Sequence, residues 1–84
     1  MHEGHRERMK QRFLNEGLDH FSQHQVLELL LFYTIPRRDT NPLAHKLVKR
    51  YGSLVGVLEA GYEDLMTVKG VTRNTAIFLS MIPH

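Results

Sequence analysis

The residues of this 84-residue chain best suited to chemistry are Lys69-Gly70-Val71-Thr72-Arg73. A glycine within a tight turn reaches positive φ and leaves its backbone N–H open. The N–H groups that follow, from Val71 onward, begin a helix. Unpaired donors there, helped by the helix dipole, hold an anion such as phosphate. Lys69 and Arg73 bracket the turn with positive charge. Thr72 is a good N-cap, and its hydroxyl either crowds a phosphate or helps to hold it. A second basic turn, Arg37-Arg38, and Lys46 beyond it offer side-chain contacts to further phosphates. The chemistry on offer is non-covalent capture, with no bond made or broken.

Other chemistries find no support in residue spacing. The chain has six histidines. His2-Glu3-Gly4-His5 falls one residue short of the H-E-x-x-H pattern, in which two histidines four apart share a helix face. His20 and His24 are four apart, but a helix cap at Ser22 separates them. There is no cysteine to supply a thiolate. We therefore expect no metal and no cofactor; the histidines read as surface groups, and His45 as packing beside the third helix. Ser22 and Ser53 read as helix caps, and Ser80 lies inside a helix. No serine stands in a G-x-S-x-G elbow. The acidic residues are scattered, and so short a chain has little room for a substrate pocket. The expectation is a non-enzymatic domain with no small-molecule substrate.

Something must position those basic residues. The length fits one domain, which buries only about 60% of the surface its unfolded chain exposes. Formal net charge is +2 with histidines neutral, which is mild. The basic residues are clustered, however: Arg6, Arg8, Lys10 and Arg12; Arg37 and Arg38; Lys46, Lys49 and Arg50; Lys69 and Arg73. Each cluster alone also reads as a solvated surface. No apolar run reaches the ~18 residues of a membrane span. The N-terminus is charged and lacks an apolar signal core. Together with the missing cysteines, this leads us to expect a cytoplasmic protein.

Helix signals run the length of the chain. A first, outer helix is expected from about Gly4 to Asn15, with Met9, Phe13 and Leu14 near one face and Gly17 as its stop. Ser22 and Gln25 fit a capping box, and Phe21 and Val26 the flanking hydrophobic staple. From Val26 to Tyr33 the residues are apolar on almost every side, with Glu28 the exception. Such a helix is central to its domain. Pro36 should end it near Thr34. Asn41 then Pro42 reads as N-cap and first helical residue. That third helix runs to about Tyr51, with Leu43, Leu47 and Val48 inward and Gly52 as its stop. Ser53 caps a short fourth helix that ends at Gly61. A fifth covers about Tyr62 to Met66, and a last runs from Arg73 to about Ile82, with Ala76, Phe78 and Leu79 apolar. No stretch alternates as a strand would. The predicted fold is all-α, a compact bundle of five to six short helices.

The segment Leu65 to Ala76 resembles the helix-hairpin-helix motif, whose usual pattern is apolar-x-G-apolar-G followed by a helix of small residues. The motif grips DNA backbone without reading sequence. Thr72 stands where its second glycine would. The alternative is a helix-turn-helix corner used only for packing. Thr34-Ile35 and Asn41 echo Thr67-Val68 and Asn74, offset by 33 residues, so a degenerate first copy with arginines in place of glycines is expected. The organisation reads as an outer helix over 1–20, a degenerate hairpin unit over 22–51, a connector over 53–60 and the helix-hairpin-helix over 62–82. Paired hairpins of this kind imply a RuvA domain 2-like arrangement.

A family resemblance covers nearly the whole chain. Leu29-Leu30-Leu31-Phe32-Tyr33-Thr34-Ile35-Pro36-Arg37-Arg38-Asp39-Thr40-Asn41-Pro42-Leu43-Ala44-His45 resembles the N-terminal region of the bacterial RadC family. So do Gly4-His5-Arg6-Glu7-Arg8, Tyr51-Gly52-Ser53-Leu54 and Val68-Lys69-Gly70-Val71. The resemblance implies a link to DNA repair. It also implies a further C-terminal domain of the JAB/MPN metalloprotease-like type as partner. With its end at His84, the chain is expected to be an excised domain or a short form. Two readings follow. In one, Lys69, Gly70, Val71, Thr72 and Arg73, with Arg37, Arg38 and Lys46, contact DNA backbone. In the other, the helices dock on that second domain or on another subunit, through apolar residues such as Phe78, Met81 and Tyr62.

Overall fold

The capping and stop signals translate directly into helices. The computed structural model describes residues 4–84. They form α1 (His5–Glu16), α2 (Gln23–Leu31), α3 (Asn41–Tyr51), α4 (Leu54–Glu59), α5 (Tyr62–Leu65) and α6 (Arg73–Met81), with no strand among the described residues. The described residues thus form an all-α bundle of six short helices. None of them is long and apolar enough to cross a membrane.

Local chemistry sets the boundaries. Gly17 and Gly52, both at positive φ, close α1 and α3. At Ser22 the capping box is complete: the hydroxyl accepts from the Gln25 N–H and the Gln25 side chain accepts from the Ser22 N–H. Ser53 caps α4 by accepting from the Gly56 N–H at 2.9 Å. Two boundaries differ from expectation. Helix α2 ends at Leu31, and residues 32–34 continue as a turn before Pro36. Thr40, not Asn41, is the N-cap of α3, because the Asp39 carboxylate accepts from the Asn41 N–H at 3.0 Å and turns the chain one residue earlier.

The core is built where α2, α3, α4 and α6 meet. Leu27, Leu31, Leu47, Val57, Leu65 and Leu79 are fully buried, and Ala44 and Ala76 let the helices approach closely. Each buried leucine contributes roughly 1.5–3 kcal/mol. Leu43, Val48 and Phe78 pack against this cluster from its edge. Gly56 is required by a close approach that the sequence did not announce: a methyl there would collide with the carbonyl oxygen of Tyr51.

Two expectations about the core are corrected. Tyr33, placed on an apolar-all-round helix, is 64% exposed. It lies beyond the end of α2, so it leaves the helix axis that buries Leu27 and Leu31. Glu28 is the reverse case. Although charged, it is only 2% exposed and meets the His5 Nε2 at 3.2 Å. Helix α1 buries Met9 alone.

Candidate nucleic-acid interface

The hairpin turn between α5 and α6 is anchored from below by two valines. Val68 and Val71 are buried, and Lys69 and Gly70 stand out between them. Gly70 has a φ of +98°, a conformation that side chains rarely adopt. A methyl there would rest 3.5 Å from Leu43, an ordinary contact, so the backbone and not space requires the glycine. Val71 departs from expectation. Its N–H donates to the Val68 carbonyl at 3.1 Å and is not open to a phosphate. The N–H groups of Gly70, Thr72, Arg73 and Asn74 carry no acceptor among the described residues. The donors available to an anion therefore sit on either side of Val71.

Thr72 is the N-cap of α6. Its hydroxyl accepts from the Thr75 N–H at 3.3 Å and donates to the Thr75 hydroxyl at 3.2 Å. Thr75 in turn shares a hydrogen bond with Thr34, 2.9 Å away, at the end of the α2 turn. The residue standing in the place of a second glycine thus ties the two turns together.

The first turn and α3 reach across to the hairpin. The Arg38 guanidinium donates to the Gly70 carbonyl at 3.3 Å, and the Lys46 ammonium to the Lys69 carbonyl at 3.1 Å. Arg38, Asp39, Pro42, Leu43, Lys46, Lys69 and Gly70 line one open groove of about 300 Å³. Four of the eight residues singled out from the sequence, Arg38, Lys46, Lys69 and Gly70, are therefore brought together. Val71 lies beneath them and Thr72 caps the neighbouring helix. Arg37 and Arg73 are exposed and do not line the groove. Exposed cation-to-carbonyl bonds of this kind exchange readily for bonds to phosphate, because each charge-assisted contact replaces another.

One participant was overlooked. Arg50, one helical turn after Lys46, donates to the Thr67 hydroxyl at 3.0 Å and lies 4.0 Å from the Asp64 carboxylate. The i,i+4 spacing of Lys46 and Arg50 was the available signal. Beside it the Tyr51 hydroxyl bonds to the Asp64 carboxylate. Burial, and then the bond to and charge of Asp64, push the Tyr51 phenol above its ordinary value.

The densest basic cluster plays a different part. Arg6, Lys10 and Arg12 of α1 lie over the rings of Phe32, Tyr33 and Phe21, with cation-to-centroid distances of 4.7, 5.3 and 4.2 Å. Three of its four charges are thus turned onto the protein's own aromatic residues. The histidines form no group of three or more with carboxylates that could hold a metal among the described residues. The His24 and His45 rings stack on one another at 3.9 Å, joining α2 to α3. His2 and Glu3 of the near-miss zinc pattern lie outside the described residues.

The comparison with curated proteins bears on this arrangement. The chain is similar to UPF0758 protein FN0909 of Fusobacterium nucleatum. The two are 42% identical over 80 residues, which is 95% of this chain and 34% of that relative. The chain spans about a third of the length of the relative it matches. No family model matches the chain, and no solved structure does.

Proposed function

We propose that this domain is a non-enzymatic, sequence-independent DNA-binding module of a RadC-like bacterial protein associated with DNA repair. The observation that carries this reading is the gathering of Arg38, Lys46, Lys69 and Gly70 along one groove beside the open N–H groups at the start of α6. A phosphate in the groove takes the cations from the Gly70 and Lys69 carbonyls, and the N–H of Gly70 adds a neutral donor. Arg37 and Arg73 extend the positive field to neighbouring phosphates. The Asp39 carboxylate in the same groove disfavours deep penetration by an anion, which suits a shallow backbone grip. Such a module works in the bacterial cytoplasm.

The test is fluorescence anisotropy of a labelled duplex at two salt concentrations. Affinity should be weak and fall with salt, with a slope of about −0.9 per phosphate neutralised. Lys69→Ala/Arg73→Ala and Arg37→Ala/Arg38→Ala should each weaken binding and flatten that slope. Absence of binding to single- or double-stranded DNA at low salt overturns the reading.

A second reading is favoured by a different observation. Phe13, Leu14, Leu18, Leu30 and Tyr33 line an apolar groove of about 430 Å³ between α1 and α2. Here the domain docks on the remainder of its parent protein, expected to be of the JAB/MPN type, or on another subunit. Of the residues expected to form a docking surface, Tyr62 and Met81 are exposed, whereas Phe78 packs against the core. Loss of co-purification on Leu14→Glu, with DNA binding unchanged, would support it.

A further inference from the structure

We propose that Arg6 is a positioning residue that holds the Arg37-Arg38 turn in register, and that α1 serves as a polar latch over that turn. The consequence for DNA rests on the reading above; the positioning role does not.

The argument begins with what holds α1. A helix of 12 residues that buries only Met9 gains little from apolar burial, and Phe13 and Leu14 remain exposed. Its docking depends on polar and cation–π contacts instead. His5 meets the buried Glu28, and Arg12 covers Phe21 while donating to the His20 carbonyl at 2.6 Å. Arg6 differs from these because it spans two places. One guanidinium nitrogen donates to the Phe32 carbonyl at 3.2 Å and the other to the Arg38 carbonyl at 2.6 Å, while the plane lies over the Phe32 ring.

Those two carbonyls bracket the excursion from the end of α2 to the basic turn. The backbone N–H groups of Tyr33, Thr34 and Ile35 bond back into α2. Pro36 has no N–H, and the N–H groups of Arg37 and Arg38 carry no acceptor among the described residues. Past Ile35 the turn therefore has no backbone ladder of its own. Arg6 ties its far end to its near end. The Arg38 side chain then reaches the Gly70 carbonyl, so the contact with the hairpin depends on where its own backbone is held. A planar fork that stacks on a ring and donates twice is a task for arginine; a lysine keeps the charge and loses the geometry.

The experiment is backbone amide 15N relaxation at residues 37–39 in the chain without DNA, for Arg6→Ala, Arg6→Lys and, as a control, the exposed Arg8→Ala. Duplex anisotropy runs alongside. Both Arg6 variants should lower the order parameters of Arg37 and Arg38 from about 0.85, the rigid-backbone range, toward about 0.6, while core residues such as Leu47 stay rigid. Both should weaken duplex binding alike, and Arg8→Ala should leave the order parameters unchanged. If Arg6→Ala fails to fold, Arg6→Lys carries the test. Unchanged order parameters in Arg6→Lys overturn the proposal, as does recovery of both readouts by the lysine, which would mark Arg6 as a simple charge. Lowered order parameters in a chain whose unsubstituted form binds no duplex would uphold the positioning role and overturn the DNA reading.

Discussion

Thr34 and Thr75, 41 positions apart, share a hydrogen bond of 2.9 Å between their hydroxyls. Through Thr72 the same network caps α6. The bond therefore joins the end of the α2 turn to the start of the helix that follows the hairpin. Thr75 is fully buried, so its loss leaves two hydroxyls without their partner. Thr75→Val should cost about 1–3 kcal/mol. A double-mutant cycle with Thr34→Val, read by urea unfolding, should show strong coupling, with the double variant losing less than the sum. Simple additivity would mean that the bond contributes nothing.

Thr40 makes the opposite case. Its hydroxyl is buried and has no hydrogen-bond partner among the described residues. Replacing an unsatisfied hydroxyl by a methyl of the same shape removes a desolvation cost. Thr40→Val should leave the melting temperature unchanged or raise it. A drop of several degrees would show that the hydroxyl is bonded in solution.

The phenol of Tyr51 sits beside Asp64 with its pKa raised by burial first and by that carboxylate second. A group whose folded-state pKa is raised gives stability that is full below its unfolded value, about 10, and is lost as pH rises through the folded one. At neutral pH, Tyr51→Phe should cost about 0.5–1.5 kcal/mol through its lost hydrogen bond. Above pH ~10 the gap between the two proteins should narrow. Urea titrations on either side of that pH decide the matter; a constant gap would exclude the linkage.

Gly56 and Gly70 should respond differently to alanine. At Gly56 the added methyl meets the Tyr51 backbone, which has nowhere to go, so Gly56→Ala should destabilise by about 1–3 kcal/mol. At Gly70 the space is adequate and the cost arises from the positive φ. Gly70→Ala should cost about 1 kcal/mol, by comparison of their denaturation midpoints. Equal losses would show that the α3–α4 junction shifts to admit a side chain.

Lys46 and Arg50 lie one turn apart on α3, yet they meet different parts of the hairpin. On the DNA reading Lys46→Ala should reduce the salt slope of duplex binding by about 1. Arg50→Ala, which loses contacts to Thr67 and Asp64, should instead appear mainly as faster amide exchange in α5. Identical effects of the two substitutions would dissolve the distinction.

What the sequence determined by itself was local. Ser22 with Gln25, Ser53, Thr72, Gly17 and Gly52 set helix ends because a cap and its partner lie within one turn of chain. The positive φ of Gly70 was legible for the same reason. The tertiary structure decided which side of each element meets another. It exposed Tyr33, buried Glu28 beneath His5, and turned Arg6, Lys10 and Arg12 onto aromatic rings. It also placed Arg38 and Lys46 on hairpin carbonyls 32 and 23 positions away. A charged side chain has the same local pattern whether it faces water, a ring or a distant carbonyl. Only the crossing of the helices sets what lies within its reach, and that depends on how α2, α3 and α6 close over one core.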